Sequence, residues 1–209
     1  IVIVIGQRPG PSTGMPTYTA QSDLHFALNA GQGEFPRFVV SPGDAEEAYF
    51  WSCVALNTSW RYQIPAIILA DKSLCEGVYS FDIDSLGELK EENPILWDKK
   101  ESYKRYLDTE TGVSPLSFVP DKEAIIKVDS YAHDEFGITT EEAQKIKNMQ
   151  DKRLRKGQYL IKELEKYDTV KVYGNKSSSV ALICWGSNKG VVIEAGENLG
   201  LKVVHPVVL

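Results

Sequence analysis

The stretch of this chain best equipped for chemistry is Gln7-Arg-Pro-Gly-Pro-Ser-Thr-Gly-Met-Pro-Thr17, which follows directly on an unbroken β-branched run, Ile1 to Ile5. Its glycines allow a backbone to approach a ligand closely, and its prolines limit the freedom the loop would lose on binding. Arg8 contributes a permanently charged, planar fork of donors suited to a carboxylate or a phosphate. Judged by residue type alone, the loop is equally a rigid turn whose Arg8 ties down backbone carbonyls, and this plainer reading carries the greater weight. The spacing is not that of a Walker A loop.

Other places with chemical capacity are weaker. His133-Asp134 sets an imidazole beside a carboxylate, a pair suited to proton transfer but more often structural. His25 stands beside Phe26 and Leu28, where a packed or interface histidine is the simpler expectation. The basic run Lys152-Arg-Leu-Arg-Lys156 reads as the solvated face of a helix in preference to a site for an acidic partner. Trp185 to Gly190 reads as a strand followed by a helix start, able to bind an anion through free N–H groups, although a well-capped turn is the plainer account. Cys53, Cys75 and Cys184 lack Cys-x-x-Cys spacing, so the sequence encodes neither a disulfide framework nor a zinc or iron–sulfur site, and any redox cluster belongs to another chain.

The elements that must position these residues alternate. Ile1–Ile5 reads as a strand covered on both faces of a parallel sheet. A helix over Tyr18–Ala30 stopped by Gly31, and a short strand at Arg37–Val40, come next. Ser41-Pro42 then reads as the cap and first turn of a helix whose buried stripe is Ala45, Ala48, Ser52, Ala55, Leu56 and Trp60. Ile64–Leu69, ending at Asp71, is a further strand, so residues 1 to 84 follow a β, α, β, α, β order, the order of a doubly wound, mostly parallel α/β sheet. A polar excursion occupies residues 87–117. A strand at Ala124–Val128 and a long helix from Thr139 to Tyr167, kinked near Gly157, lead to a β, α, β unit over Val180–Trp185, Gly186–Leu199 and Leu201–Val204. The expected division is thus 1–118, a linking strand and helix over 119–168, and a second partial α/β unit over 169–209.

Composition narrows the function. A formal net charge of −6 argues against nucleic acid, whose phosphates need a clustered basic surface. No apolar run approaches the roughly 20 residues of a membrane helix, and the opening run is too short for a signal peptide, so a soluble, cytoplasmic protein is expected, without a membrane partner. The first residue is not Met and lies inside a strand pattern, which points to one part of a longer polypeptide.

The loop Gln7–Thr17, running into Gln21-Ser-Asp-Leu-His-Phe-Ala-Leu-Asn-Ala-Gly-Gln-Gly-Glu-Phe-Pro-Arg37, resembles the alpha subunit of 2-oxoacid:ferredoxin oxidoreductases. Ser41-Pro-Gly-Asp44, Ala70-Asp-Lys72 through Glu76, Ser130 to Thr140 and Met149-Gln-Asp-Lys-Arg-Leu154 carry the likeness along most of the chain. The resemblance implies a pyrimidine-type thiamine-diphosphate domain followed by part of a transketolase C-terminal-like domain. It implies the oxidative decarboxylation of a 2-oxoacid to an acyl-CoA, with coenzyme A as acyl acceptor and electrons passing to ferredoxin. Arg8 would hold the 2-oxoacid carboxylate, Thr17 would hydrogen-bond the same end of the substrate, and Asp134 becomes a further candidate.

Two departures bear on the cofactor. No Gly-Asp-Gly with a downstream Asn is present to hold Mg²⁺ and diphosphate; Gly43-Asp44-Ala45 is only superficially similar. The family's acid toward the aminopyrimidine, and its Tyr-Pro-Ile-Thr-Pro segment, would lie upstream of Ile1. No catalytic residue is therefore assignable within the chain. Thiamine diphosphate and Mg²⁺ would be shared with or held by a beta subunit, which would also carry the iron–sulfur cluster, with gamma and delta subunits as further partners. The alternatives are a subunit of a transketolase or 2-oxoacid dehydrogenase type enzyme, and a non-catalytic assembly module. The preferred 2-oxoacid is not encoded legibly, because a carboxylate-binding Arg serves many such acids alike.

Overall fold

The computed structural model describes every residue from Ile1 to Leu209. The chain runs through β1 (Val2–Gln7), α1 (Leu24–Asn29), β2 (Phe38–Val40), α2 (Ala45–Tyr62), β3 (Ala66–Asp71) and α3 (Lys72–Glu76). After a long irregular stretch come α4 (Ala143–Leu164), β4 (Val170–Gly174), β5 (Ala181–Ile183), α5 (Lys189–Asn198) and β6 (Lys202–Pro206). The first three strands form a parallel sheet in the order β1-β3-β2, with Val4 opposite Ile68 and Val40 opposite the same residue.

Every residue of β3 is buried, as befits the central strand of a sheet covered on both faces. Because successive side chains point to opposite faces, β3 divides the core in two. Ala66 and Ile68 join Phe38, Val40, Trp51 and Val54 on the α2 face, whereas Ile67 and Leu69 meet Ala27 and Val39 on the α1 face. Burying each large side chain stabilises by about 1.5–3 kcal/mol. Helices on both faces of a parallel sheet make this the doubly wound arrangement the alternation predicts.

Several local expectations are corrected. β1 pairs with β3 but is an edge strand, and Ile1 and Val4 are 80% and 64% exposed, so it is not covered on both faces. A β-branched run reports strand geometry; coverage depends on which neighbours the topology supplies. The first helix is only Leu24–Asn29, because the Gly- and Pro-rich loop extends further along the chain than expected.

Ser41 does not cap α2. Its hydroxyl donates to Leu69 O at 3.1 Å between the strand ends, while Asp44 caps by accepting from the Glu47 N–H at 2.9 Å. The stripe is rotated accordingly: Glu47, Trp51, Val54, Ala55, Thr58 and Tyr62 face inward, and Leu56 is 59% exposed. Composition could not choose between two interleaved stripes on a helix rich in small and aromatic residues.

Residues 124–128 form no strand, and Ile125 and Val128 are exposed: a short apolar run becomes a strand only where another strand pairs with its backbone. The helix α4 is one uninterrupted element through Gly157, where an added Cβ would lie 3.4 Å from Pro36 Cβ. Its basic run is not a solvated face: helical spacing sets Lys152 one turn from both Met149 and Lys156, on the side that packs against the irregular stretch, and Lys152 is 7% exposed.

The second sheet has the order β4-β6-β5, with β5 parallel to β6 and β4 antiparallel to it, an extra strand that the sequence reading did not assign. The chain end joins the two sheets. Val207 O accepts from the Ser41 N–H at 2.8 Å, Leu209 N donates to Val39 O at 3.0 Å, and Val207 is fully buried in the α2 core. No helix is long and apolar enough to cross a membrane.

Candidate functional site

In an open parallel sheet the carboxyl ends of the strands make the natural crevice. Here Gln7 and Asp71 stand opposite each other at the ends of β1 and β3. Gln7 is 3% exposed, and neither amide atom of its side chain has a hydrogen-bond partner. A buried amide lacking both partners is costly, and here it belongs to the last residue of β1, at this end of the sheet. Asp71 caps α3 by accepting from the Leu74 N–H at 3.2 Å, and its second oxygen accepts from the Ser187 hydroxyl.

The loop that begins at Arg8 is fastened near both ends. The Arg8 N–H donates to Asp23 Oδ2 at 3.4 Å, and Arg8 O accepts from the Ser22 hydroxyl at 2.7 Å. Farther along, Lys72 Nζ donates to Thr17 O at 2.6 Å, and the Lys72 N–H donates to Thr19 Oγ1 at 3.2 Å. Thr17 has φ of +70°, a left-handed backbone that a β-branched residue enters only at a cost of about 1–3 kcal/mol. Arg8 and Thr17 are both exposed, and the Arg8 guanidinium makes no hydrogen bond or ion pair within the chain.

The turn after β5 forms the opposite lip. Gln21 Nε2 donates to Trp185 O at 2.6 Å, and Asn188 Nδ2 donates to Gln21 Oε1 at 2.8 Å. Gly186 sits between them at φ +63°, and a Cβ there would lie 2.7 Å from Gln21 Nε2 and 3.0 Å from Ser41 Oγ. The Trp185–Gly190 segment thus serves as a contact between the two sheets.

Behind this lip lies a charged cluster. Glu47 Oε1 accepts from Lys189 Nζ at 2.8 Å and from Lys171 Nζ at 3.0 Å, while Glu47 Oε2 accepts from the Gly43 N–H at 2.8 Å. Burial alone would push the Glu47 carboxyl up, but Lys189, the Gly43 N–H and Lys171 outweigh it and hold it below the usual carboxylate range. Lys189 is raised: its desolvation is overcome by Asp44 and Glu47. His205, fully buried with both ring nitrogens unpartnered, is pushed down by desolvation despite the nearby Glu47 charge.

The remaining sequence candidates lie elsewhere. Asp134 Oδ1 accepts from the Phe136 and Ile138 N–H groups at 2.9 and 3.0 Å, so it shapes its own loop. His133 is buried, bonded to Tyr131 O at 3.0 Å and edge-on to Tyr106, and desolvation followed by the Arg153 charge lowers its pKa. His25 is exposed on α1, not packed. The sequence reading did not single out Gln7, Asp71 or Lys72 as site residues. Their signal was available: polar residues that end an apolar parallel strand point to the crevice side. No three His, Cys, Asp or Glu side chains stand together as a metal site.

Residues 1–152 match the family model described as pyruvate flavodoxin/ferredoxin oxidoreductase, thiamine diP-bdg. The chain is 38% identical over 213 residues to the 2-oxoacid:ferredoxin oxidoreductase subunit alpha of Saccharolobus solfataricus, covering 100% of this chain and 33% of that protein. It is 26% identical to the 2-oxoglutarate synthase subunit KorA of Methanocaldococcus jannaschii, over 96% of this chain and 53% of that one. Among solved structures it superposes on the 2-oxoglutarate:ferredoxin oxidoreductase from Magnetococcus marinus with 2-oxoglutarate, coenzyme A and succinyl-CoA bound. The TM-score there is 0.88 at 31% identity, over 100% of this chain and 37% of that one. The chain therefore spans about a third of the length of the Saccharolobus solfataricus subunit. With the doubly wound sheet, the loop at its carboxyl end and the matched span agreeing, the chain belongs to the pyruvate flavodoxin/ferredoxin oxidoreductase family, through that family's thiamine-diphosphate-binding domain.

Proposed function

We propose that this chain is the substrate-carboxylate side of a 2-oxoacid:ferredoxin oxidoreductase alpha subunit, acting in the oxidative decarboxylation of a 2-oxoacid to an acyl-CoA with electrons passed to ferredoxin. The observation that carries the reading is Arg8: its backbone is fixed by Ser22 and Asp23, while its guanidinium has no partner within the chain. A cation so presented at the carboxyl end of a parallel strand is free to pair with a carboxylate, and a guanidinium does so through two parallel hydrogen bonds. Thr17, on the far end of the same loop, adds a neutral hydroxyl that orients the substrate more than it binds it. The strained backbone at Thr17 supports a functional placement of that residue.

Thiamine diphosphate, when bound, supplies the nucleophilic carbon and the electron sink for loss of CO₂. This chain contributes positioning and charge complementarity at the substrate's acid end. The Mg²⁺ and diphosphate ligands and the iron–sulfur cluster belong, in this reading, to a beta subunit, with gamma and delta subunits as further members of a cytoplasmic complex. In this reading residues 1–118 are a partial pyrimidine-type unit, 119–168 the link, and 169–209 a partial transketolase C-terminal-like unit.

The test is Arg8→Ala in the full-length, assembled enzyme. Loss of the charge-assisted hydrogen bonds to the carboxylate should lower kcat/KM for the 2-oxoacid by about tenfold or more, with Arg8→Lys recovering part of it. Unchanged kinetics in both variants would reject the assignment.

A further inference from the structure

A second polar cavity, separate from the Arg8 loop, lies between α4 and the irregular stretch. It is a partly open cavity of about 220 Å³, and its walls include Arg105, Lys152, Arg153, Lys156 and His133. No carboxylate pairs with any of the four permanent or near-permanent cations among these. The acidic group acting on Lys152, Asp108, is itself paired with Arg155.

The side chains are held in place by neutral acceptors. Lys152 Nζ donates to Ser114 Oγ at 2.6 Å, Lys156 Nζ to Gln63 O at 3.3 Å, and Arg105 NH1 to Gln63 Oε1 at 2.9 Å. Each of those uses one donor from groups that carry three or five, so most of the cluster's donors remain uncommitted. The Tyr106 ring takes Arg105 and Lys152 on its face at 5.1 and 5.9 Å, a weaker compensation than an anion would give. Gly112 makes the enclosure: at φ +77° it lets its loop approach α4 so closely that a Cβ would lie 2.5 Å from Lys152 O.

We propose that this cavity is a binding site for a compact, multiply charged tetrahedral oxyanion of the phosphate class. Four cations without a carboxylate call for more than one negative charge, and a phosphate offers close to two together with several strong acceptor oxygens. The volume falls below the roughly 300 Å³ at which sites for drug-sized ligands begin, so it suits a single phosphate group with little attached. Mutual repulsion supports the assignment. Desolvation, then Lys156, Arg105 and Arg153, lower the Lys152 pKa to about 8; desolvation, then Arg105 and Arg153, lower Lys156 to about 8 as well. An oxyanion would reverse that repulsion; the other titratable groups facing the cluster are His133 and Asp108, with Asp129 and Asp134 acting on His133.

The site is independent of the Arg8 reading. Its test is calorimetric titration of the full-length, assembled protein with inorganic phosphate and, in a separate arm, ribose 5-phosphate, against chloride at matched ionic strength. One site per alpha chain is expected, with proton uptake near pH 8 visible as buffer-dependent heats. Tighter binding of the free ion or of the ester identifies which form the cavity takes. Lys156→Met and Arg105→Gln should each weaken binding by about tenfold or more, and Lys156→Arg should restore it. Lys156→Met removes a poorly solvated charge, so its melting midpoint should be no lower than that of the parent protein. Absence of binding beyond chloride in both arms, or affinity unmoved by Lys156→Met, overturns the proposal. So does an assembled structure in which a carboxylate of another segment or subunit pairs with Lys152 and Lys156.

Discussion

Lys189 Nζ lies 2.8 Å from Glu47 Oε1, joining the start of α5 in the second sheet to the first turn of α2 in the first. Both side chains are largely withdrawn from water, and Asp44 and Lys171 complete the cluster. A buried pair of this kind stabilises less than its Coulomb energy suggests, yet breaking it leaves a charge stranded.

Glu47→Ala should therefore lower unfolding stability by about 3 kcal/mol, since it leaves the buried Lys189 with Asp44 as its remaining carboxylate and frees the Gly43 N–H as well. Lys171→Ala, which removes a more exposed partner, should cost no more than about 1 kcal/mol. Urea denaturation of the two variants checks the order; equal losses would mean the cluster does not hold the sheets together.

Acid should loosen this seam. His205 and Glu47 both have folded pKa values below their ordinary ones. A depressed group contributes stability that is complete above its unfolded pKa and is lost as pH falls through the folded value. For His205 that decline begins near pH 6.5, and for Glu47 below about pH 4.3. Replacing the unpartnered imidazole by His205→Leu should flatten the stability profile between pH 7 and pH 5 without lowering stability at pH 7. Chemical denaturation across that range measures it, and a profile as steep as the parent's would remove His205 from the account.

Gly186→Ala should push the Trp185–Asn188 turn away from the strand ends. The new methyl group would meet Gln21 Nε2 and Ser41 Oγ on a left-handed backbone, costing about 1–2 kcal/mol and the Gln21 to Trp185 hydrogen bond. A lower melting midpoint accompanied by reduced 2-oxoacid turnover in the assembled enzyme is expected. A variant unchanged in both would show that the lip has room to spare.

Much of the organisation was legible because it rests on local pattern. The apolar runs ending at Gln7 and Asp71, the Gly- and Pro-rich loop between strand and helix, and the alternation of elements up to residue 84 are all properties of short windows. The loop that carries Arg8 and Thr17 is found from its composition and its place after a strand. Asp134 and His133 were legible as residue types only; that Asp134 closes its own turn, and that His133 packs on Tyr106, depends on loops folded back over α4.

The sequence by itself determined which segments extend and which coil, and it placed a guanidinium at a strand's end, because dihedral preference and side-chain alternation act over a few residues. Only the tertiary structure decided that β1 is an edge, that α2 turns Glu47 inward toward Lys189, and that Lys152 and Lys156 face a cavity instead of water. Those outcomes depend on contacts between residues far apart in the chain, 93 positions for Gln63 with Lys156 and 142 for Glu47 with Lys189. No local pattern reports which distant partner will cover a given face.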